Sequence, residues 1–286
     1  MTDKYAVIGN PIAHSKSPQI HKMFAEQTGE DISYERIEAP LDGFAAKVDE
    51  LRATGYKGCN VTVPFKFEAF IYAQQNLSDG AQVAKAVNTL KFDDEIIFGA
   101  NTDGAGLVRD IEYNLRVSLQ GKRVLLMGAG GASWGVAIPL LQREANITIV
   151  SRTDEPGDKA FELAQFLQRS IFADSVGRHN QPTSTSYGKL ASNQKFDLII
   201  NATSSGLSDE MPPLPPNIFA HGALAYDLMY GRETPFMKFA LAQGVSKDRV
   251  IDGLGMLVEQ AAESFFIWRG VHPETAPVIT ALRKQQ

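Results

Sequence analysis

A short apolar run that empties into a glycine cluster constrains this 286-residue chain more than any other stretch. Residues 122–133 read Lys-Arg-Val-Leu-Leu-Met-Gly-Ala-Gly-Gly-Ala-Ser. Val124 to Met127 has the character of a fully buried strand, and Trp134 to Gln142 carries Val136, Ile138, Leu140 and Leu141 at apolar positions of a helix. Strand, tight turn and helix N-terminus make a site for a dinucleotide phosphate. The first-turn amides point at the anion, and the helix dipole favours negative charge there. Gly128 would make the turn, Gly130 would let the backbone approach the pyrophosphate, and Ser133 stands, still small, in the third glycine slot. A glycine pattern alone also suits an ordinary strand–helix turn, so the rest of the chain has to decide.

The length suggests about two domains, and 44% hydrophobic content is ordinary for a globular protein. A net charge of −5 offers no general attraction for nucleic acid or an anionic membrane, so the expected partner is a small molecule. The chain enters a strand at once, without the long apolar core of a secretory leader, and no apolar run approaches the roughly 18 residues that span a bilayer. Cys59 is the sole cysteine, which excludes an internal disulfide and fits a reducing cytoplasm. Within Cys-Asn-Val-Thr-Val it reads as buried filler. The histidines at 14, 21, 179, 221 and 272 lack ligand spacing, so no metal is expected.

In chain order, Lys4–Ile8 is a strand that turns at Gly9-Asn10-Pro11. His14-Ser15-Lys16-Ser17-Pro18 then opens a helix, with Ser17 placed as its N-cap and Pro18 in its first turn. The serines either only start the helix or offer hydroxyls to a small carboxylate. Tyr34–Ala39 is a second strand, Leu41–Thr54 a helix, and Lys57–Val63 a third strand stopped by Pro64. Asn60, Thr62 and Lys66 thereby gather at one strand's C-terminal end, where open α/β sheets hold their ligands. A lysine there is usually just solvated; its company with Asn60 and Thr62 narrows that margin. Helices are expected over Phe67–Gln75 and Ala81–Lys85, and a hairpin turns at Asp93-Asp94. Asn101-Thr102-Asp103-Gly104 precedes a helix from Ala105 to about Leu115. Asp103 either caps that helix or serves as a functional carboxylate, and a domain boundary is set near 104.

The second domain opens with the glycine unit. Asn146–Val150 is its next strand and ends in Ser151-Arg152-Thr153. NAD-binding units place an acidic residue about 20 positions past the loop, on the ribose 2′-hydroxyl. A guanidinium between two hydroxyls instead suits a 2′-phosphate, although Asp154 and Glu155 follow directly. Asp158–Arg169 is a helix, and 174–188 reads as a loose surface stretch. Phe196–Asn201 is a strand ending in Thr203-Ser204-Ser205-Gly206, and Leu224–Met229 is another, with Tyr230 at its end. Thr234–Gln243 is a helix, Arg249–Ile251 a last short strand, and Met256–Trp268 an amphipathic helix with Gln260 beside its apolar face.

Joined in this order, eight motifs resemble the shikimate dehydrogenase family over nearly the whole chain. They are Gly9-Asn-Pro-Ile-Ala-His-Ser-Lys-Ser-Pro18, Asn60-Val-Thr-Val-Pro-Phe-Lys66, Ala86-Val-Asn-Thr-Leu90, Asn101-Thr-Asp-Gly104, Gly128-Ala-Gly-Gly-Ala-Ser133, Asn201-Ala-Thr-Ser-Ser-Gly206, Tyr226-Asp-Leu-Met-Tyr230 and Asp252-Gly-Leu-Gly-Met-Leu257. The resemblance implies an α/β protein of two domains. An N-terminal α/β substrate domain (1–103 plus 254–286) takes back the C-terminal helices, and a Rossmann-type, doubly wound NADP-binding domain spans 104–253. It implies reversible, NADPH-dependent reduction of 3-dehydroshikimate to shikimate, in a cytoplasmic monomer or homodimer whose partner is the small-molecule substrate. Ser15 and Ser17 would bind the substrate carboxylate with Tyr230 nearby. Asn60, Thr62, Lys66, Asn88, Asp103 and Gln260 would bind the ring and reacting centre, Lys66 and Asp103 being the catalytic pair. Gly128, Ala129, Gly130, Gly131, Ala132, Ser151, Arg152, Thr153, Leu228, Gly253 and Asp79 would hold NADP(H).

Two positions depart from the family pattern. Relatives specific for NADPH often carry a second arginine shortly after the first, where Glu155 and Pro156 stand here. Trp134 after the glycine loop is unusual. The neighbouring readings are a quinate/shikimate dehydrogenase that uses NAD, and a non-catalytic nicotinamide-binding sensor of the same fold. Retention of Lys66 and Asp103 together argues against the sensor. Hydride transfer to a ketone leaves charge developing on its oxygen, and without a metal Lys66 is the available proton donor.

Overall fold

In the computed structural model, residues 2–93, 96–173, 181–191, 193–203 and 210–285 are described, 170–173 by backbone alone. The first sheet grows from β1 (Asp3–Gly9), whose Tyr5-Ala-Val-Ile8 is buried on both faces, as a central parallel strand requires. It lies between β2 (Ile32–Glu38) and β3 (Tyr56–Val61), both parallel to it. Antiparallel β4 (Thr89–Asp93) and β5 (Ile96–Ala100) complete the order β2-β1-β3-β4-β5. Side chains alternate across the pleat. Ala6, Ile8, Cys59 and Val61 meet Phe44, Val48 and Leu51 of α2 (Phe44–Ala53), with Phe65 and Ala69 of the following segment. Tyr5 faces the other way and stacks on Trp268 at 4.6 Å.

Trp268 belongs to α9 (Leu254–Arg269), the return helix, which α10 (Ala276–Arg283) follows. Its indole N–H donates to the Leu90 carbonyl at 3.0 Å, and Arg269 pairs with both Asp3 and Glu30. The remaining helices of this region are α1 (Ser17–Thr28), α3 (Lys66–Tyr72), α4 (Asp79–Ala84) and α5 (Asp103–Arg109).

The second sheet has the order β11-β10-β9-β6-β7-β8, all parallel. Its strands are β6 (Arg123–Met127), β7 (Asn146–Ser151), β8 (Thr183–Ser186), β9 (Phe196–Asn201), β10 (Phe219–Asp227) and β11 (Val250–Ile251). Helices α6 (Gly131–Gln142), α7 (Lys159–Ala173) and α8 (Pro235–Ala242) connect them. This is the doubly wound dinucleotide-binding order, whose winding reverses between β6 and β9. The half-buried Trp134 of α6 packs its ring 5.3 Å from that of Phe166 on α7, which accounts for an aromatic after the glycine loop.

Two units emerge, residues 1–109 with 257–286 and residues 110–256. Both divisions fall beyond the expected 104 and 254. Leu107 and Val108 of α5 are buried, and Arg109 pairs with Glu259 at 3.0 Å, so all of α5 stays with the first unit. The amide of Met256 donates to the Tyr226 hydroxyl, which fastens the first turn of α9 to the second unit.

Two local expectations are corrected. The helix expected over Ala105–Leu115 becomes a π-turn over Asp110–Asn114, where the Leu115 amide bonds to the Asp110 carbonyl five residues back. The stretch 174–188 contains β8, which pairs along β7 from Thr183 to Ser186. A Thr/Ser strand at a sheet edge has no apolar alternation to betray it, yet branched threonines fit the pleat. Residues 94–95, 174–180 and 204–206 of the hairpin turn, the loose stretch and the Asn201 motif lie outside the described residues. Among the described residues no helix is long and apolar enough to cross a membrane.

Candidate functional site

Loops at the C-terminal ends of β1 and β3 carry the first group of polar residues. They are joined where the Asn10 amide donates to the Val63 carbonyl and the Thr62 amide to that of Ile8. Ser17 is not the N-cap of α1: Lys16 occupies that position without a side-chain bond, and Ser17 begins the helix with Pro18. The Ser17 hydroxyl is thereby spared capping duty and accepts from Ser15 Oγ at 3.2 Å, while the Ser17 amide donates to Ser15 Oγ. Arg36 donates to the Ser15 carbonyl at 2.8 Å and fixes the loop. Two hydroxyls beside a helix start form an uncharged cradle for an oxyanion.

Lys66 is set by its neighbour. Phe65 is fully buried and stacks on Phe44 at 5.3 Å, so the next residue is thrown outward at the head of α3. Its Nζ lies 2.6 Å from Asp103 Oδ2, the lysine side chain being 28% and the aspartate 10% exposed. The other carboxylate oxygen accepts from Asn88 Nδ2 at 2.9 Å. Capping falls to Asn101, whose Oδ1 accepts the Asp103 amide, so the Asp103 carboxylate is not consumed by its helix. Asn88 also approaches Gln260 Oε1 at 3.3 Å, and the half-buried Gln260 is steadied from its own helix by the Leu257 carbonyl. Thr62 is half-buried just past the end of β3.

Asn60 differs from its companions. It is buried, with Nδ2 within reach of the Asn88 carbonyl, Thr89 Oγ1 and Ser264 Oγ at 2.9–3.1 Å, while Oδ1 accepts from Tyr34. Ser264 and Tyr34 are partners that the sequence reading missed. Ser264 stands one helical turn after Gln260, the only signal that could have found it.

In the second unit the glycine loop leaves β6 with Gly128 at φ +94°, where a Cβ would lie 3.1 Å from the Thr203 methyl. Ser133 donates back to the Gly128 carbonyl at 2.8 Å, closing the turn from inside the helix. Gly130 is the N-cap of α6 and supplies no side-chain acceptor for the first-turn amides, and among the described residues nothing lies within 4 Å of a Cβ built at Gly130 or Gly131. That cradle fits a phosphate. Ala129 and Ala132 complete the loop. Past β7, the Ser151 hydroxyl turns to the Thr153 carbonyl and the Arg152 side chain is exposed. Gly253 passes so close to Leu228 that a Cβ would lie 2.2 Å from its carbonyl oxygen, and the Gly253 amide bonds to Met229. Tyr230 follows β10, and burial raises its phenol pKa. Asp79 belongs to the first unit, exposed in the first turn of α4.

Comparison with known proteins matches residues 7–90 to the shikimate dehydrogenase substrate binding domain and residues 253–283 to the shikimate 5′-dehydrogenase C-terminal domain. Shikimate dehydrogenase (NADP(+)) of Methylobacillus flagellatus is 55% identical over 98% of this chain and 99% of its own length. A crystallised enzyme of Pseudomonas putida is 45% identical with a TM-score of 0.87, covering 98% of each chain. Shikimate 5-dehydrogenase of Thermus thermophilus, solved with NADP(H) and shikimate, is 30% identical with a TM-score of 0.83 over 100% of both chains.

Proposed function

The chain belongs to the shikimate dehydrogenase family, and from that premise we propose that it reduces the 3-keto group of 3-dehydroshikimate to shikimate, reversibly and with NADPH. The observation that carries this reading is the pair Lys66–Asp103, 2.6 Å apart and steadied by Asn88, at the end of a strand that also delivers Thr62. NADPH supplies the hydride when bound. The chain's own residues then have to place the ketone and protonate its oxygen.

Lys66 Nζ donates the proton as the oxygen gains charge, and takes it back from the hydroxyl in the oxidative direction. Asp103 holds the ammonium through one oxygen and leaves its geometry fixed by Asn88 through the other. A ring hydroxyl can donate to the same carboxylate. Ser15 and Ser17 bind the substrate carboxylate with neutral donors. Thr62, Asn88 and Gln260 read the ring hydroxyls. Asn60, bonded to Tyr34, Ser264 and the Asn88 carbonyl, acts as the brace beneath them.

For the cofactor, Gly128 to Ala132 receive the pyrophosphate on the amides of α6. Ser151, Arg152 and Thr153 receive the 2′-phosphate. Leu228 and Gly253 offer backbone at the nicotinamide end. Cys59 is the single cysteine and is free and buried, and a lone unpaired thiol supports residence in a reducing cytoplasm. One spectrophotometric assay crossing shikimate and quinate with NADP⁺ and NAD⁺ tests the reading. Turnover with shikimate and NADP⁺ well above the other three pairs is expected. Activity confined to quinate or NAD⁺, or none with any pair, refutes it.

A further inference from the structure

The loop after β7 carries Asp154 and Glu155 directly behind Arg152, which is an unpromising place for a doubly charged phosphate. The topology supplies an answer from another strand. β8 runs parallel to β7, with Ser151 opposite Ser186, so the short turn Tyr187–Lys189 emerges beside the Ser151–Glu155 loop. There Lys189 Nζ lies 2.9 Å from Asp154 Oδ1, and the Asp154 side chain is only 14% exposed while that of Lys189 is 66% exposed. Glu155 also acts on the Lys189 ammonium, whose pKa is raised first by the bond to Asp154. Arg152 sits close enough to Tyr187 to oppose the burial that pushes its phenol up to about 12. Arg152, Asp154, Glu155 and Lys189 thus form one electrostatic group built from two strand ends.

We propose that Lys189 is a specificity-determining residue for the cofactor: by neutralising Asp154 it lets Arg152 and its flanking hydroxyls accept a 2′-phosphate. This rests on reading the second unit as an NADP site. With Lys189 the four charges cancel; without it the pocket is left net negative, and a free carboxylate is what suits an unphosphorylated ribose. Lys189 acts through Asp154 and is a positioning residue. A separate consequence follows for Asp154: once it is neutral, Lys189 ceases to matter.

Calorimetric titration of the full chain with 2′,5′-ADP and 5′-AMP tests this without turnover. Lys189→Met should weaken 2′,5′-ADP about tenfold, the scale of one unscreened like charge near a phosphate, and 5′-AMP by less than twofold. Lys189→Met with Asp154→Asn should recover 2′,5′-ADP to within about threefold of the parent, and the NADP⁺/NAD⁺ ratio of kcat/KM should fall and recover in parallel. An unchanged 2′,5′-ADP affinity in Lys189→Met, an equal loss for 5′-AMP, or no recovery with Asp154→Asn overturns the proposal. If the parent binds 2′,5′-ADP no tighter than 5′-AMP, the NADP reading itself has failed.

Discussion

Lys66 owes its usefulness to three neighbours rather than to its own chemistry. Phe65 anchors the backbone, Asp103 holds the ammonium and Asn88 holds Asp103, so a flexible side chain is kept in one place. Lys66→Ala should lower kcat by roughly 100-fold or more with little change in the KM for shikimate, since proton transfer rather than binding is removed. Steady-state kinetics in both directions check this, and near-normal turnover would deny Lys66 its role. Arg152→Ala should weaken NADPH by about 1.5–3 kcal/mol, the scale of a charged hydrogen bond, and NADH much less. Equal loss for both cofactors, read from their binding curves, would remove the phosphate contact from Arg152.

At the scale of elements, strand ends do most of the positioning. Short loops after β1, β3, β6 and β7 each deliver polar groups, because a parallel sheet puts all its strand C-termini at one edge. The connection from β11 to α9 shows how tightly this edge is built. Gly253→Ala would force a Cβ toward the Leu228 carbonyl, a backbone atom that cannot swing away. Overpacking of that kind costs about 1–3 kcal/mol, so thermal unfolding should shift downward by several degrees, and an unchanged midpoint would show that the backbone gives. Thr234 makes a comparable point for α8: its hydroxyl donates to Asp227 at 2.6 Å and accepts the Met237 amide as N-cap. Thr234→Ala should cost roughly 0.5–2 kcal/mol in chemical denaturation, the range for a lost cap.

Across the whole molecule, stability should depend on pH through His21. It is fully buried and stacked on Tyr34 at 4.2 Å, neither ring nitrogen has a hydrogen-bond partner among the described residues, and burial pushes its pKa down to about 3. The unfolded chain takes up a proton near the usual 6.5 that the folded chain refuses until about 3. The folded state therefore keeps its full stability above 6.5 and loses it as pH falls through that window. Between pH 7 and pH 5 the loss attributable to this residue is about 2 kcal/mol. Urea unfolding of the parent against His21→Phe at both pH values checks it: the parent should lose more on acidification, and parallel losses would exonerate the histidine.

What the chain announces by itself are features with short-range causes. The glycine turn, the strand runs and the clustering of Asn60, Thr62 and Lys66 at one strand end follow from local periodicity and sterics. The motif order then identified the family. Tertiary structure alone decided which groups share partners. The Asp103 amide goes to Asn101 Oδ1, which leaves its carboxylate to Lys66 and Asn88, and Ser17 stands inside the first turn of a helix whose N-cap is Lys16. The Asn60 amide is divided among Thr89 of β4, Ser264 of α9 and Tyr34 of β2, partners that no local pattern names. Lys189 carried no signal at all, because its partner is 35 residues away and meets it only through the parallel pairing of two strands. Local backbone preferences are written in neighbouring residues, whereas the charge and hydrogen-bond partners of a side chain depend on distant segments that only the folded sheet brings within reach.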